Sequence, residues 1–269
     1  MSNSPIGIFD SGIGGLTVAA AIHKLLPNES IIYVGDTAHL PYGDKSPELI
    51  EQYSKRITDY LLERGCKIIV IACNTASAHA FKPIKLYVNQ KVPVANVIDP
   101  AAKAIAAAFS NKKVGVIGTR GTINSGIYPR KIKKLNPNIE VTSLATPLLA
   151  PMIEEGFFNN KISKTVINSY LDKKSLKGID AIILACTHYP LIRKEIDEFY
   201  KGNVIVFDSA EMVARDVQDK LHALDLLNNV KAPILEFYVT DFTDSFENSA
   251  RYFFPTKIHL DRLALWENK

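Results

Sequence analysis

Cysteine is scarce in this chain: three in 269 residues, Cys66, Cys73 and Cys186. An odd, sparse set does not make a disulfide framework, so free thiols in the reducing cytoplasm are expected. Neither Cys73 nor Cys186 has the C-x-x-C spacing of a zinc or dithiol redox motif. No apolar stretch approaches the ~20 residues of a membrane span, and no basic, apolar, small-residue leader opens the chain. No membrane partner is expected. Net charge is a mild +4, which suits a small anionic ligand but is too diffuse for nucleic acid. A P-loop and a G-x-G-x-x-G run are both missing, which disfavours a nucleotide site. There is no Pro/Gly/Ser-rich linker and no low-complexity segment. With 47% hydrophobic and 22% charged residues, the balance is that of a globular protein of one large domain or two smaller ones.

What the chain does contain is a matched pair of strand ends. Lys67-Ile-Ile-Val-Ile-Ala-Cys73-Asn74-Thr75 and Asp180-Ala-Ile-Ile-Leu-Ala-Cys186-Thr187-His188 each run from apolar residues through Ala to Cys and a short polar group. Continuous apolar runs of this length read as buried parallel strands. In open α/β sheets ligands bind beyond the carboxyl ends of the strands, where both thiols would stand. Cys66 follows Gly65 at a helix-to-strand junction and reads as a small buried hydrophobe.

Strand and helix alternate almost from the start: a strand at 6–9, a glycine turn at 10–15, a helix at 16–26 and a strand at 31–34. A polar loop at 35–43 and a helix near 47–64 lead to the Cys73 strand, and 92–97 is another strand before an Ala-rich helix. Such alternation implies parallel sheets covered by helices. At Lys113 the pattern restarts. Lys113-Val-Gly-Val-Ile-Gly resembles Pro5-Ile-Gly-Ile-Phe-Asp, and the spacing from Gly7 to Gly115 nearly equals that from Cys73 to Cys186. The reading is an internal duplication, set against a chance match of short apolar strands. The last strand, at 235–240, is placed to complete the first unit's sheet. The expected fold is α/β, with two pseudosymmetric α/β domains, mainly parallel sheets and a site in the cleft between them. The expected division is 1–97 with 208–269 for the domain carrying Asp10 and Cys73, and 98–207 for the domain carrying Cys186 and His188.

Several residues could carry chemistry. Asp10-Ser-Gly-Ile-Gly-Gly15 follows a strand and opens a helix, a setting for a carboxylate ligand or simply a capped turn; Asp10 can also orient a proton-transfer group. Both Cys73 and Cys186 precede expected helices, which lowers a thiol's pKa from ~8.5. Cys73, Cys186 and His188 would give three metal ligands but no evident fourth, so no metal is expected. An acyl-transfer nucleophile would leave one thiol redundant. Two matched thiols suit proton removal from one face of a tetrahedral carbon and return on the other. Ser11, Asn74, Thr75 and Thr187 are short polar groups for anchoring a substrate. His188 either serves the Cys186 proton or is structural, and Glu154 either pairs with His188 or ends a helix. Tyr42-Gly43 either closes over a ligand or is a turn with an exposed Tyr.

The segments Phe9-Asp-Ser-Gly-Ile-Gly-Gly-Leu, Val34-Gly-Asp-Thr-Ala-His-Leu-Pro-Tyr-Gly43, Ala72-Cys-Asn-Thr-Ala76 and Leu184-Ala-Cys-Thr-His-Tyr-Pro190 together resemble the bacterial glutamate racemases, over residues 6 to about 255. The resemblance implies a cofactor-independent isomerase that interconverts L- and D-glutamate and supplies D-glutamate for peptidoglycan. It gives Cys73 the proton of D-glutamate and Cys186 that of L-glutamate, with Asp10 assisting on the first side and His188 and Glu154 on the second. Substrate anchoring falls to Asp10, Ser11, Tyr42, Gly43, Asn74, Thr75, Thr187 and His188, with Thr119 and Thr122 in the second unit. Many members have Cys-Pro where this chain has Thr146-Pro147, so that cysteine is not essential here. With the first strand at residue 6, the N-terminal extension of members activated by a cell-wall precursor is not expected, nor is that regulation. A homodimer is compatible with the sequence, which does not fix the oligomeric state. Aspartate racemase and a non-catalytic amino-acid-binding protein are the alternatives; Asp10-Ser11 and Cys-Thr-His favour glutamate.

Overall fold

The computed structural model describes residues 3–228 and 232–267. The chain begins β1 (Ile6–Asp10), α1 (Leu16–Leu25), β2 (Ile31–Gly35), α2 (Pro47–Glu63) and β3 (Ile68–Ile71), then α3 (Asn74–His79), α4 (Phe81–Val88), β4 (Val94–Asn96) and α5 (Ile98–Ala108). A second series follows as β5 (Lys113–Gly118), α6 (Arg120–Asn124), α7 (Ile127–Leu135), β6 (Glu140–Ala145), α8 (Leu149–Glu154), α9 (Lys161–Leu171), β7 (Ala181–Ala185), α10 (Arg193–Tyr200) and β8 (Ile205–Phe207). It closes with α11 (Ala210–Ala223), β9 (Leu235–Val239), α12 (Asp244–Ala250) and β10 (Asp261–Arg262). Local chemistry sets several of these starts. Ser46 caps α2 ahead of Pro47, and Asn160 and Ser163 form a reciprocal capping box on α9.

The strands form two wholly parallel sheets, ordered β10-β9-β2-β1-β3-β4 and β6-β5-β7-β8. The run β2-β1-β3-β4 has the same topology as β6-β5-β7-β8, so the repeat read in the sequence is a repeat of strand order. The late strands β9 and β10 extend the first sheet beyond β2. Strands β1, β3 and β7 are buried throughout, as their continuous apolar runs require.

The glycines that mark the repeat have one packing role. A Cβ at Gly7 would lie 2.9 Å from the Sγ of Cys66, and one at Gly115 would lie 3.0 Å from Ile179. Cys66 stands two residues before β3 and Ile179 two residues before β7, so the two are structural counterparts. Cys66 is therefore a packing residue over β1, buried within the outer apolar cluster of the first sheet. A larger cluster continues through both sheets, from Ile8 and Val70 across Ile105 on α5 to Val114 and Ile182.

Candidate active site

In a sheet ordered β2-β1-β3-β4 the chain runs outward in opposite directions from β1 and β3, which leaves a crevice beyond their carboxyl ends. Asp10 and Ser11 end β1 there, and Cys73 follows β3. In the second sheet Thr119 follows β5, and Cys186 follows β7. The two crevices face each other across one cavity of about 240 Å³, below the roughly 300–1,000 Å³ of drug-sized ligand sites. Its size suits a single small metabolite.

Ser11, Tyr42, Gly43, Cys73, Asn74, Thr75, Thr119, Glu154, Cys186, Thr187 and His188 all line this cavity. Two residues singled out in the sequence stand behind the wall. Asp10 is fully buried; its Oδ2 accepts the Gly15 N–H at 2.7 Å, while Oδ1 has no partner among the described residues. Thr122 is buried too, joined through hydroxyls to Thr75 and Thr119, each at 3.1 Å. This hydroxyl cluster ties α3 of the first unit to α6 of the second. Leu40, Pro41, Ala150, Pro151 and Ala185 supply apolar wall. Of these, Leu40, Pro41 and Ala185 lie inside motifs quoted above, whereas Ala150 and Pro151 carry no signal in a single sequence.

The first thiol stands between a hydroxyl and a helix end. Cys73 Sγ lies 3.5 Å from Ser11 Oγ, and it caps α3 by accepting the Ala76 N–H at 3.4 Å. The helix start does not lower its pKa. Burial and the neighbouring Asp10 carboxylate outweigh the Ala76 and Ser11 hydrogen bonds and push the thiol up to about 12. Asp10 is itself raised by burial, against the opposing charge of His188 and the N–H groups of the turn. A carboxylate of raised pKa with an unpaired oxygen, set beside a thiol, is a base placed to take that thiol's proton.

The second thiol has a different companion. Cys186 Sγ lies 3.6 Å from His188 Nδ1, and His188 Nε2 lies 2.8 Å from Glu154 Oε1. Burial opposes charge on this imidazole, but Glu154 and the Cys186 contact together outweigh it and hold His188 well above its ordinary 6.5. Glu154 thus reaches His188 from the end of α8, as the pairing alternative required. No helix starts at Cys186. A short 3₁₀ turn at Tyr189–Ile192, with Pro190 in its first turn, intervenes before α10.

One expectation about a side chain is corrected. Tyr42 is neither exposed nor free to swing over a ligand: it is buried, and its Oη donates to Asp36 Oδ2 at 2.6 Å. It lines the cavity beside Gly43. Thr146 is buried beneath the second strand end, its hydroxyl 2.7 Å from Tyr189 Oη. A supporting residue went unread. Tyr128 Oη donates to Asn74 Oδ1 at 2.7 Å, which leaves the buried Asn74 Nδ2 unpaired on the cavity wall. No sequence signal links residues so far apart in the chain. Among the described residues no group of three or more His, Cys, Asp and Glu side chains is arranged to hold a metal ion.

Two parallel sheets that meet at their switch points, each presenting one thiol to a shared cavity, define a racemase site. The profile of the Asp/Glu/hydantoin racemases matches residues 15–217, and the chain belongs to that family. Within it, the chain is 46% identical over 222 residues to the glutamate racemase of Geobacter metallireducens, covering 82% of each protein. It is 42% identical over 253 residues to that of Enterococcus faecalis, covering 93% of this chain and 92% of the relative. The crystal structure of glutamate racemase from Francisella tularensis in complex with D-glutamate superposes with a TM-score of 0.92 at 40% identity, covering 99% of both chains.

Proposed function

We propose that this chain is a glutamate racemase that interconverts L- and D-glutamate by a two-base thiol mechanism and supplies D-glutamate for peptidoglycan. The observation that carries the reading is the pair of thiols at equivalent strand ends of two repeated sheets, facing one small cavity. In the D-to-L direction the Cys73 thiolate, its proton passed to Asp10, takes the α-proton of D-glutamate. The bonding pair stays on the α-carbon, delocalised into the adjacent carboxylate. The Cys186 thiol then delivers a proton to the opposite face, and the His188 imidazolium stabilises the thiolate left behind. In the L-to-D direction Cys186 is the base and Cys73 the acid. Asn74 Nδ2 and the hydroxyls of Ser11, Thr75, Thr119 and Thr187 anchor the substrate's carboxylates and ammonium, with Thr122 holding Thr75 and Thr119 in place. Tyr42 and Gly43 wall the cavity.

The reading extends to the whole chain. Residues 1–97 with 208–269 form the Cys73 domain, and 98–207 the Cys186 domain. The enzyme works in the cytoplasm without an organic cofactor or metal, and a homodimer is open to it. No helix among the described residues is long and apolar enough to cross a membrane.

The test is the circular dichroism of L-glutamate incubated with purified protein that has been treated with chelator and freed of pyridoxal phosphate. Optical activity should decay to zero at an undiminished rate. Decay only after a metal or pyridoxal phosphate is restored would refute the two-thiol mechanism. Decay with aspartate but not glutamate would select the aspartate alternative, and glutamate binding without decay a non-catalytic binding protein.

A further inference from the structure

We infer that Trp266, near the end of the chain, is a positioning residue for the cavity wall, acting through the carboxylate of Asp36; the inference rests on the glutamate racemase reading above. Asp36 directly follows β2 and is fully buried. Its two oxygens take four side-chain partners. Oδ1 accepts from Trp266 Nε1 and Thr240 Oγ1, each at 2.8 Å; Oδ2 accepts from Tyr42 Oη at 2.6 Å and lies 3.0 Å from His39 Nδ1. A carboxylate has about four acceptor sites, so this one is saturated. Two partners belong to the 37–44 loop, whose Leu40, Pro41, Tyr42 and Gly43 wall the cavity. The other two come from the far end of the chain, after β9 and after β10.

Ring packing strengthens the same link. The Trp266 indole meets His39 edge-on with centroids 4.5 Å apart and Tyr53 at 5.4 Å, while Tyr53 stacks on His39 at 4.0 Å. The terminal segment is itself held, since Leu263 N–H donates to Val239 O at 2.8 Å and Leu265 is buried. Trp266 and Asp36 do not line the cavity, so neither touches substrate. Their joint effect is to fix the ring of Tyr42 and the backbone of Gly43 in the position that narrows the cavity. Loss of the indole N–H leaves one acceptor site of a buried carboxylate empty and frees the loop to adopt wider positions, which bind glutamate less well. By reciprocity, glutamate must tighten the Trp266 contact by the factor by which that contact tightens glutamate.

The test uses Trp266→Phe in the full-length chain, which keeps an aromatic ring and removes the donor. KM for both enantiomers should rise about fivefold, the low end of coupling between distant sites, with kcat within about twofold of wild type. A purely structural tryptophan would lower thermal stability without this split. The chain contains one tryptophan, so wild-type fluorescence gives an independent readout. Saturating D- or L-glutamate should reduce acrylamide quenching of Trp266. A folded Trp266→Phe protein with unchanged KM overturns the inference, as does wild-type quenching indifferent to glutamate, which decides the matter should the variant not fold. Wild-type protein that does not racemise glutamate overturns the functional reading, and the role of Trp266 in it.

Discussion

Cys66 and Cys73 are both buried thiols pushed up to about 12, so neither burial nor pKa tells them apart. Their neighbours do: Cys66 covers Gly7 as Ile179 covers Gly115, whereas Cys73 faces Ser11, Asp10 and the cavity. Cys66→Ala should therefore keep near-normal racemisation, and Cys73→Ala and Cys186→Ala should each abolish it. In deuterated water the wild-type enzyme should place deuterium on the α-carbon of the inverted product, because thiols exchange with solvent. A Cys186→Ala protein that still inverts glutamate at a comparable rate would remove the second base. His188 gives a pH-dependent expectation. Its folded pKa lies well above 6.5, so the stability it contributes is complete below about pH 6.5 and is lost as pH rises through the raised value. Glu154→Gln removes the main source of that elevation. The stability gap between wild type and variant should be widest near pH 6 and should shrink in alkali, as read by denaturant melts at several pH values. An equal gap at pH 6 and pH 10 would mean that Glu154 does not hold the His188 imidazole in its charged form.

Among the elements, the glycine turn between β1 and α1 is the most constrained. A Cβ at Gly14 would fall 2.4 Å from His188 Cε1 and 2.7 Å from Thr187 Oγ1; the first-unit turn is packed against the His188 imidazole of the second. Thr17 on α1 donates to Thr187 O at 3.1 Å on the same side. Gly14→Ala should displace the His188 ring and cost about 10²-fold in kcat, the size of one general acid–base contribution, in steady-state assays of either enantiomer. Activity within twofold of wild type would show that His188 tolerates the shift. Elements were also where the sequence was most readable. Buried strands announce themselves by unbroken apolar runs, and β1, β3, β5 and β7 fall where those runs predict. The helix expected after Cys186 is α10, which begins only after one 3₁₀ turn that contains Pro190. The saturation of Asp36, the Tyr128–Asn74 bond and the burial of Tyr42 were illegible: each depends on residues brought together only by the tertiary fold.

For the whole molecule, the repeat visible in Gly7/Gly115 and Cys73/Cys186 became a repeat of strand order, and the site lies where two switch points oppose. That much follows from a single sequence, because strand patterning and strand-end chemistry are local. The long-range ties that hold the halves in register do not: Thr75 to Thr119 and Thr122, and Tyr128 on α7 to Asn74 on α3.

The two halves are alike in backbone but unlike in charge, with a carboxylate beside one thiol and an imidazole–carboxylate pair beside the other. Mirror-image substrates have equal free energies in water, so their equilibrium constant is unity whatever the enzyme does. The kcat/KM values for the two enantiomers must then be equal, however different the flanks that serve them. The asymmetry of the cleft can surface only within each direction, as a kcat and a KM that rise or fall together from one enantiomer to the other. An enzyme with unequal flanks is thus free to hold one hand of its substrate more tightly, provided that it turns that hand over more slowly in the same proportion.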